Sequence, residues 1–220
     1  MATLVFDAPA SADRIPPLTN GDWLRREEFH RRYLTMPEVN KAELIQNIVY
    51  MASPVRHAQH GSPHARLLTW LGSYAAGKPS LDLGANATVI LDDDNEPQPD
   101  ALLRVREEHG GQSRVGEDGY IHGAPEFVAE IAASTTAYDL HQKKEVYLAH
   151  GVREYLVWSV EDQRLDWWEL REGQYVTVPL DADGLARSRV FPGLWLDARA
   201  LLGGDLAGVL AGVGTGLAAS

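Results

Sequence analysis

The chain has 220 residues, 45% of them hydrophobic and 23% charged, with a net charge of −11 and no cysteine. That length suits one domain of α/β size; the lack of cysteine excludes disulfides and thiolate metal sites and fits a reducing compartment, with the cytoplasm as the expected location. The acidic balance argues against a broad cationic surface for nucleic acid, and no apolar run is long enough to span a membrane.

The N-terminal MATLVFDAPASADRIPP lacks a basic start followed by a long apolar stretch, so residues 1–20 read as a loose arm and not as a signal peptide. Asp22 to Leu34 predicts a helix with Trp23, Phe29 and Tyr33 as apolar contacts, Asn20 as a cap and Pro37 beyond its end. Its Arg25, Arg26, Arg31 and Arg32 form either a phosphate-binding patch or a solvated face. AELIQNIVYMA, Ala42 to Ala52, predicts a hairpin turning at Gln46-Asn47, because Asn tolerates positive φ. Ser62 as cap and Pro63 as first helical residue predict the next helix, with Leu67, Leu68, Leu71, Tyr74 and Ala75 as its buried stripe. That start leaves His60 outside the helix, so His57, His60 and His64 do not share a face, which argues against zinc.

LDLGANATVIL is strand-like. DDDNE, Asp92 to Glu96, is a solvated turn that lacks the glycine and distal glutamate of a calcium loop. Ala101 to Val105 is a short strand, and Glu107 to Gly123 a long polar loop with one small strand. Glu126 to Ala133 is a strand, Tyr138 to His150 a helix closed by Gly151 in a left-handed cap, and REYLVWSV the next strand. RLDWWEL and QYVTVPL form a terminal hairpin. Trp158, Trp167, Trp168 and Trp195 are sheet core or a dimer surface. The Gly/Ala-rich tail, 203–220, is a weak helix or a frayed end. The fold class is α/β (α+β): a single domain over 21–202, with a mixed central β-sheet flanked by helices and an N-terminal helix and hairpin.

Two carboxylates stand out. Asp100 follows Pro97-Gln98-Pro99 at a strand entrance, and Glu130 interrupts the apolar strand FVAEIAA. Sequential strands usually neighbour each other, so the two can converge. Either a hard divalent ion relieves their repulsion, or Lys143, Lys144 or an arginine does. Helical periodicity places Leu140, Lys144, Tyr147 and Gly151 on one stripe and Lys143 at its edge. Lys143 also suits a surface pair with Asp139.

The ordered series AELIQNIVYMASP, His60, QPDALL and EFVAEIAASTTAYDLHQKKEVYLAHGVREYLVW resembles the Uma-two family ("putative restriction endonuclease") of the PD-(D/E)XK nuclease-like superfamily. The resemblance runs from about Leu24 to Leu196. Its most specific part is E-x(8)-DLxxK-x(3)-Y-x(3)-GVxEY, carried by Glu130, Asp139, Leu140, Lys143, Tyr147, Gly151, Val152, Glu154 and Tyr155. It implies a restriction-endonuclease-like core in which Asp100 and Glu130 bind Mg²⁺ or Mn²⁺. The superfamily's strand lysine is replaced here by Ala132, and the family pattern assigns the role to Lys143 on the following helix. It also implies site roles for Glu43 and for His60, which either contacts phosphate or water or caps a helix. IAASTT departs from the family's form, which has a proline between two small polar residues. DNA is the implied partner and phosphodiester hydrolysis the implied reaction. The alternative is a non-catalytic nuclease-fold module that binds a partner, favoured by the net charge of −11. A homodimer is expected, because the Trp-bearing hairpin offers apolar area and two-fold pairing is the commonest assembly.

Overall fold

Gln46 and Asn47 both hold positive φ, 52° and 66°. This is the turn that matches strand twist in a two-residue hairpin. It joins β1 (Ala42–Ile45) to β2 (Ile48–Met51). The computed structural model describes residues 15–52, 54–132 and 138–220. The expected arm therefore lies mostly outside the described residues, as does the stretch 133–137 with the IAASTT departure.

Helix α1 (Arg26–Tyr33) begins four residues later than expected, with no side-chain cap. The preceding segment is held by the hairpin instead: Trp23 bridges Ile48, and Leu24 N donates to the Asn47 carbonyl at 2.8 Å. Helix α2 (Ser62–Ala75) buries Leu67, Trp70, Leu71 and Tyr74. It is entered through a π turn, His57–Gly61, so Ser62 lies within continuous helical backbone and makes no capping bond. The acidic turn is also not merely solvated. Asp94 accepts from Asn47 and pairs with Arg25, Asp92 meets His150 at 2.8 Å, and Glu96 exchanges both main-chain bonds with Leu44.

Strands β3 (Leu81–Ala85), β4 (Val89–Ile90) and β5 (Ala101–Val105) follow. The polar loop holds two small strands, β6 (Arg114–Val115) and β7 (Ile121–His122), which join β4 in a small sheet. Then come β8 (Phe127–Ala132), a second π turn at Asp139–Lys143, and α3 (Lys144–Ala149), with Gly151 at φ 78° beyond it. The chain continues through β9 (Glu154–Ser159), β10 (Arg164–Arg171), β11 (Gln174–Thr177), β12 (Leu185–Arg187), β13 (Trp195–Asp197), α4 (Ala198–Gly203) and α5 (Leu206–Ala219).

The central sheet runs β11-β10-β9-β8-β5-β3, and only β8 and β9 pair in parallel. Side chains alternate across it. Phe127, Ala129 and Ile131 pack with Leu156, Trp158, Trp167 and α2. Val128 and Ala132 pack on the other face with Tyr147 of α3, Tyr155, Val157 and Trp168. Glu130 shares that second face. Trp158, Trp167 and Trp168 are thus sheet core and not an exposed surface. The tail is a 14-residue helix, α5, capped by Asp205, whose Val209 and Val213 join the core. Among the described residues no helix is long and apolar enough to cross a membrane.

Candidate active site

The antiparallel register of β5 and β8 sets Ala101 against Ala129. Carried one step further, it sets Asp100 against Glu130 on the same face. The two carboxylates touch through the backbone as well: Ile131 N donates to Asp100 Oδ2 at 2.8 Å, and Asp100 N points at Glu130 Oε2 at 3.4 Å. Each residue is 2% exposed. Ionised carboxylates at that depth need compensation, and two lysines give it. Lys143 Nζ lies 2.9 Å from Glu130 Oε1, 2.9 Å from Glu43 Oε1 and 3.6 Å from Asp139. Lys41 Nζ donates to Asp100 Oδ1 at 2.9 Å. His60 Nε2 stands 3.2 Å from Asp100 Oδ2, and Tyr147 donates its hydroxyl proton to Glu130 Oε1 at 3.0 Å. Asp100, Glu130, Lys143, His60 and Glu43 therefore meet in one site.

Lys143, and not Lys144, points into it. Lys144 stacks its ammonium 3.7 Å from the Trp168 ring centre. Helical periodicity places Lys144 on the stripe and Lys143 at its edge, and the geometry differs because residues 139–143 form a π turn. The wider i→i+5 turn rotates the side chains before α3 relative to an ideal helix. The Lys143–Asp139 pair is buried, which sets aside the alternative of a surface pair. The other π turn corrects the reading of His60 in the same way. Its residues run straight into α2, so His60 and His64 face one target: His64 Nε2 donates to the Asp100 carbonyl at 2.6 Å, and the two rings are 5.5 Å apart. His60 caps no helix.

Lys41, His64 and Tyr147 carry no role in the sequence reading. Lys41 had a signal, since it sits two residues before Glu43 and so shares its face of an extended segment. Tyr147 is four residues beyond Lys143, about one helical turn away and so within reach of it. The α1 arginines are committed elsewhere: Arg25 pairs with Asp94, Arg26 lies 3.9 Å from Asp93, and Arg31 and Arg32 both hold Glu28. They form a paired, solvated face and not a free cationic patch.

The environment drives the two carboxyls apart. Burial raises Glu130 well above the usual range, with Lys143 opposing and Asp100 and Glu43 adding to the rise. Burial also opposes ionisation of Asp100, but the His60 contact, Lys41 and the Ile131 amide outweigh it and hold this carboxyl far below its ordinary value. Burial works against the Lys143 ammonium, yet Glu130, Glu43 and Asp139 overcome it and keep the amine charged.

Hard oxygen donors in contact suit a Mg²⁺-type ion. Four carboxylates, Glu43, Asp100, Glu130 and Asp139, surround two ammonium groups, so the cluster holds an excess of negative charge. Among the described residues, Glu130 Oε2 has only the long 3.4 Å contact. In chemistry and charge the residues therefore fit a divalent cation. Among the described residues, however, no group of three or more acidic or histidine side chains is already arranged around an ion position.

A crystal structure described as "a putative nuclease belonging to DUF820" from Anabaena variabilis ATCC 29413 shares this architecture, with a TM-score of 0.60 at 15% identity, covering 79% of this chain and 96% of that one. At that identity the likeness is one of fold, a mixed sheet with flanking helices of nuclease-like type. No curated protein matches the chain. The family Uma2, described as "Putative restriction endonuclease", matches residues 26–199, well over half of the sequence. The chain belongs to the Uma2 family.

Proposed function

We propose that the protein is a metal-dependent DNA endonuclease of the PD-(D/E)XK type, hydrolysing phosphodiester bonds with Mg²⁺ or Mn²⁺ held by Asp100 and Glu130. One observation carries this reading: paired strands bring two buried carboxylates together with a buried lysine on Glu130. A structural ion pair needs one acid and one base, whereas this cluster is crowded with like charge, the arrangement expected where perturbed groups do chemistry. When bound, the ion would polarise the phosphoryl oxygen and acidify water.

The chain's own groups have separable tasks. Lys41 and the Ile131 amide fix the Asp100 carboxylate, and Tyr147 fixes that of Glu130. Lys143 keeps a permanent ammonium beside Glu130, where it can hold a water or donate to a phosphoryl oxygen as charge develops. Glu43 is anchored by Gln98 N at 2.8 Å and shares Lys143, setting the ammonium's position. His60 reaches Asp100 from the α2 side and can take or give a proton there.

The test is calorimetric titration with Mn²⁺ together with cleavage of a duplex. Wild type should bind and cut, and Asp100→Asn and Glu130→Gln should do neither. A second reading, a non-catalytic partner-binding module, is favoured by the fact that Lys41 and Lys143 by themselves satisfy both carboxylates. It predicts that the folded wild type takes up no divalent ion. We also propose a homodimer, which would set two sites against the two strands of a duplex. With the sheet tryptophans buried, its apolar contact would have to come from elsewhere, such as Trp23 at 64% exposure. Light scattering that shows only monomer at micromolar concentration would exclude it.

A further inference from the structure

With the α1 arginines paired, Lys143 in the site and Lys144 stacked on Trp168, few cations are left for a polyanion. Arg66 is one of them. It makes no hydrogen bond or ion pair with any described residue. Its guanidinium lies beside Gly204, where a Cβ would come within 3.1 Å of Nη1. It lines a cavity of about 170 Å³, whose other walls include Ala58, Pro63, Trp158, Leu202 and Gln163. Apart from Gln163 these walls are apolar, so within the cavity the guanidinium is met by no carboxylate.

The place matters as much as the charge. Trp158 pairs with Ile131, the residue after Glu130, across the parallel strands β8 and β9. Trp158 and Glu130 point to opposite faces of the sheet but sit at the same end of it. Ala58, in the cavity wall, belongs to the π turn that also carries His60 to Asp100. A strand of nucleic acid lying across this end of the sheet would meet the carboxylate site on one side and the cavity on the other. A strand carries a phosphate at every nucleotide, so one that crosses this end can set a neighbour of the reacting phosphate at the cavity. A guanidinium suits such a group because its fork donates to two oxygens at once.

We propose that Arg66 and this cavity form a phosphate subsite that seats the nucleic-acid strand beside the scissile bond. The proposal rests on the endonuclease reading and extends it to how an acidic protein holds its substrate.

The experiment is fluorescence anisotropy of a short DNA duplex in Ca²⁺, over a series of salt concentrations. Arg66→Gln should bind roughly tenfold more weakly, as for loss of one charge-assisted contact, and should lower the slope of log affinity against log salt by about 0.9. Arg66→Lys should keep the slope. Gln163→Glu, at an exposed turn on the cavity rim, keeps the Arg66 side chain and should weaken binding by repelling phosphate and competing for the guanidinium, so it carries the test if Arg66→Gln folds poorly. Mn²⁺ titration of Arg66→Gln should match wild type. If wild type binds the duplex but Arg66→Gln and Gln163→Glu keep its affinity and slope, the subsite is wrong while the endonuclease reading stands. If wild type binds no duplex under any condition, both are wrong.

Discussion

Replacing Lys143 by Met should expose how the buried cluster is held together. The side chain is 2% exposed and lies within 2.9 Å of two carboxylates and 3.6 Å of a third. Met keeps the length and removes the charge, leaving Glu43, Glu130 and Asp139 without their shared ammonium. Breaking a buried pair from one side costs about 3–5 kcal/mol. Glu130 can relieve part of that by taking a proton, since burial already raises its carboxyl, so the lower end, about 3 kcal/mol, is the expectation near neutral pH. At about 2–4 °C per kcal/mol for a chain of this size, melting should fall by roughly 6–12 °C. A carboxyl raised in the folded state gives stability that is present below its unfolded value, 4.5, and is lost as pH rises. Removing Lys143 raises Glu130 further, so the deficit should grow from acid toward alkaline pH. Scanning calorimetry across that range would show it. Glu130→Gln added to Lys143→Met should recover part of the loss, because one of the three carboxylates that shared the ammonium is then neutral. Lys144→Met is the control: it loses a cation–π contact, about 0.5–1 kcal/mol, and a weak attraction to Asp166. Equal melting of Lys143→Met and Lys144→Met at alkaline pH would refute the reasoning.

Three further outcomes are expected. Tyr147→Phe removes one buried donor to Glu130 and should cost about 1–3 kcal/mol by thermal melting. Glu154 is fully buried and accepts from Ser188 Oγ and the amides of Arg189 and Val190; burial raises it to about 7 against those bonds. Its contribution is complete below 4.5 and lost as pH rises through about 7, so the melting temperature of Glu154→Gln relative to wild type should climb over that window, by up to about 3 kcal/mol in stability. Gly216→Ala would set a Cβ 2.2 Å from the Gly193 carbonyl, and denaturant unfolding should show a loss of about 1–3 kcal/mol.

What the sequence disclosed follows from how local each cause is. The turn at Gln46-Asn47 depends on two residues, and the strand around Glu130 on six neighbours, so both were legible. The choice between Lys143 and Lys144 was not legible from periodicity, because that argument assumes 3.6 residues per turn and the chain widens there to a π turn. The family pattern points to Lys143, the lysine that reaches Glu130, and it assumes no helix geometry. Nor could the sequence reveal that Lys41 would hold Asp100, 59 positions away; only the meeting of the β1 approach with the β5 entrance decides that. The tail shows a different kind of failure. Its glycines lower helix propensity by about 1 kcal/mol each, which is why residues 203–220 read as weak or frayed. Propensity concerns an isolated helix, however, and α5 is not isolated. At Gly216 the Gly193 backbone passes so close that no side chain fits, and Val209 and Val213 reach the core from the same helix. A glycine that makes the segment look unstable alone is what allows it to dock.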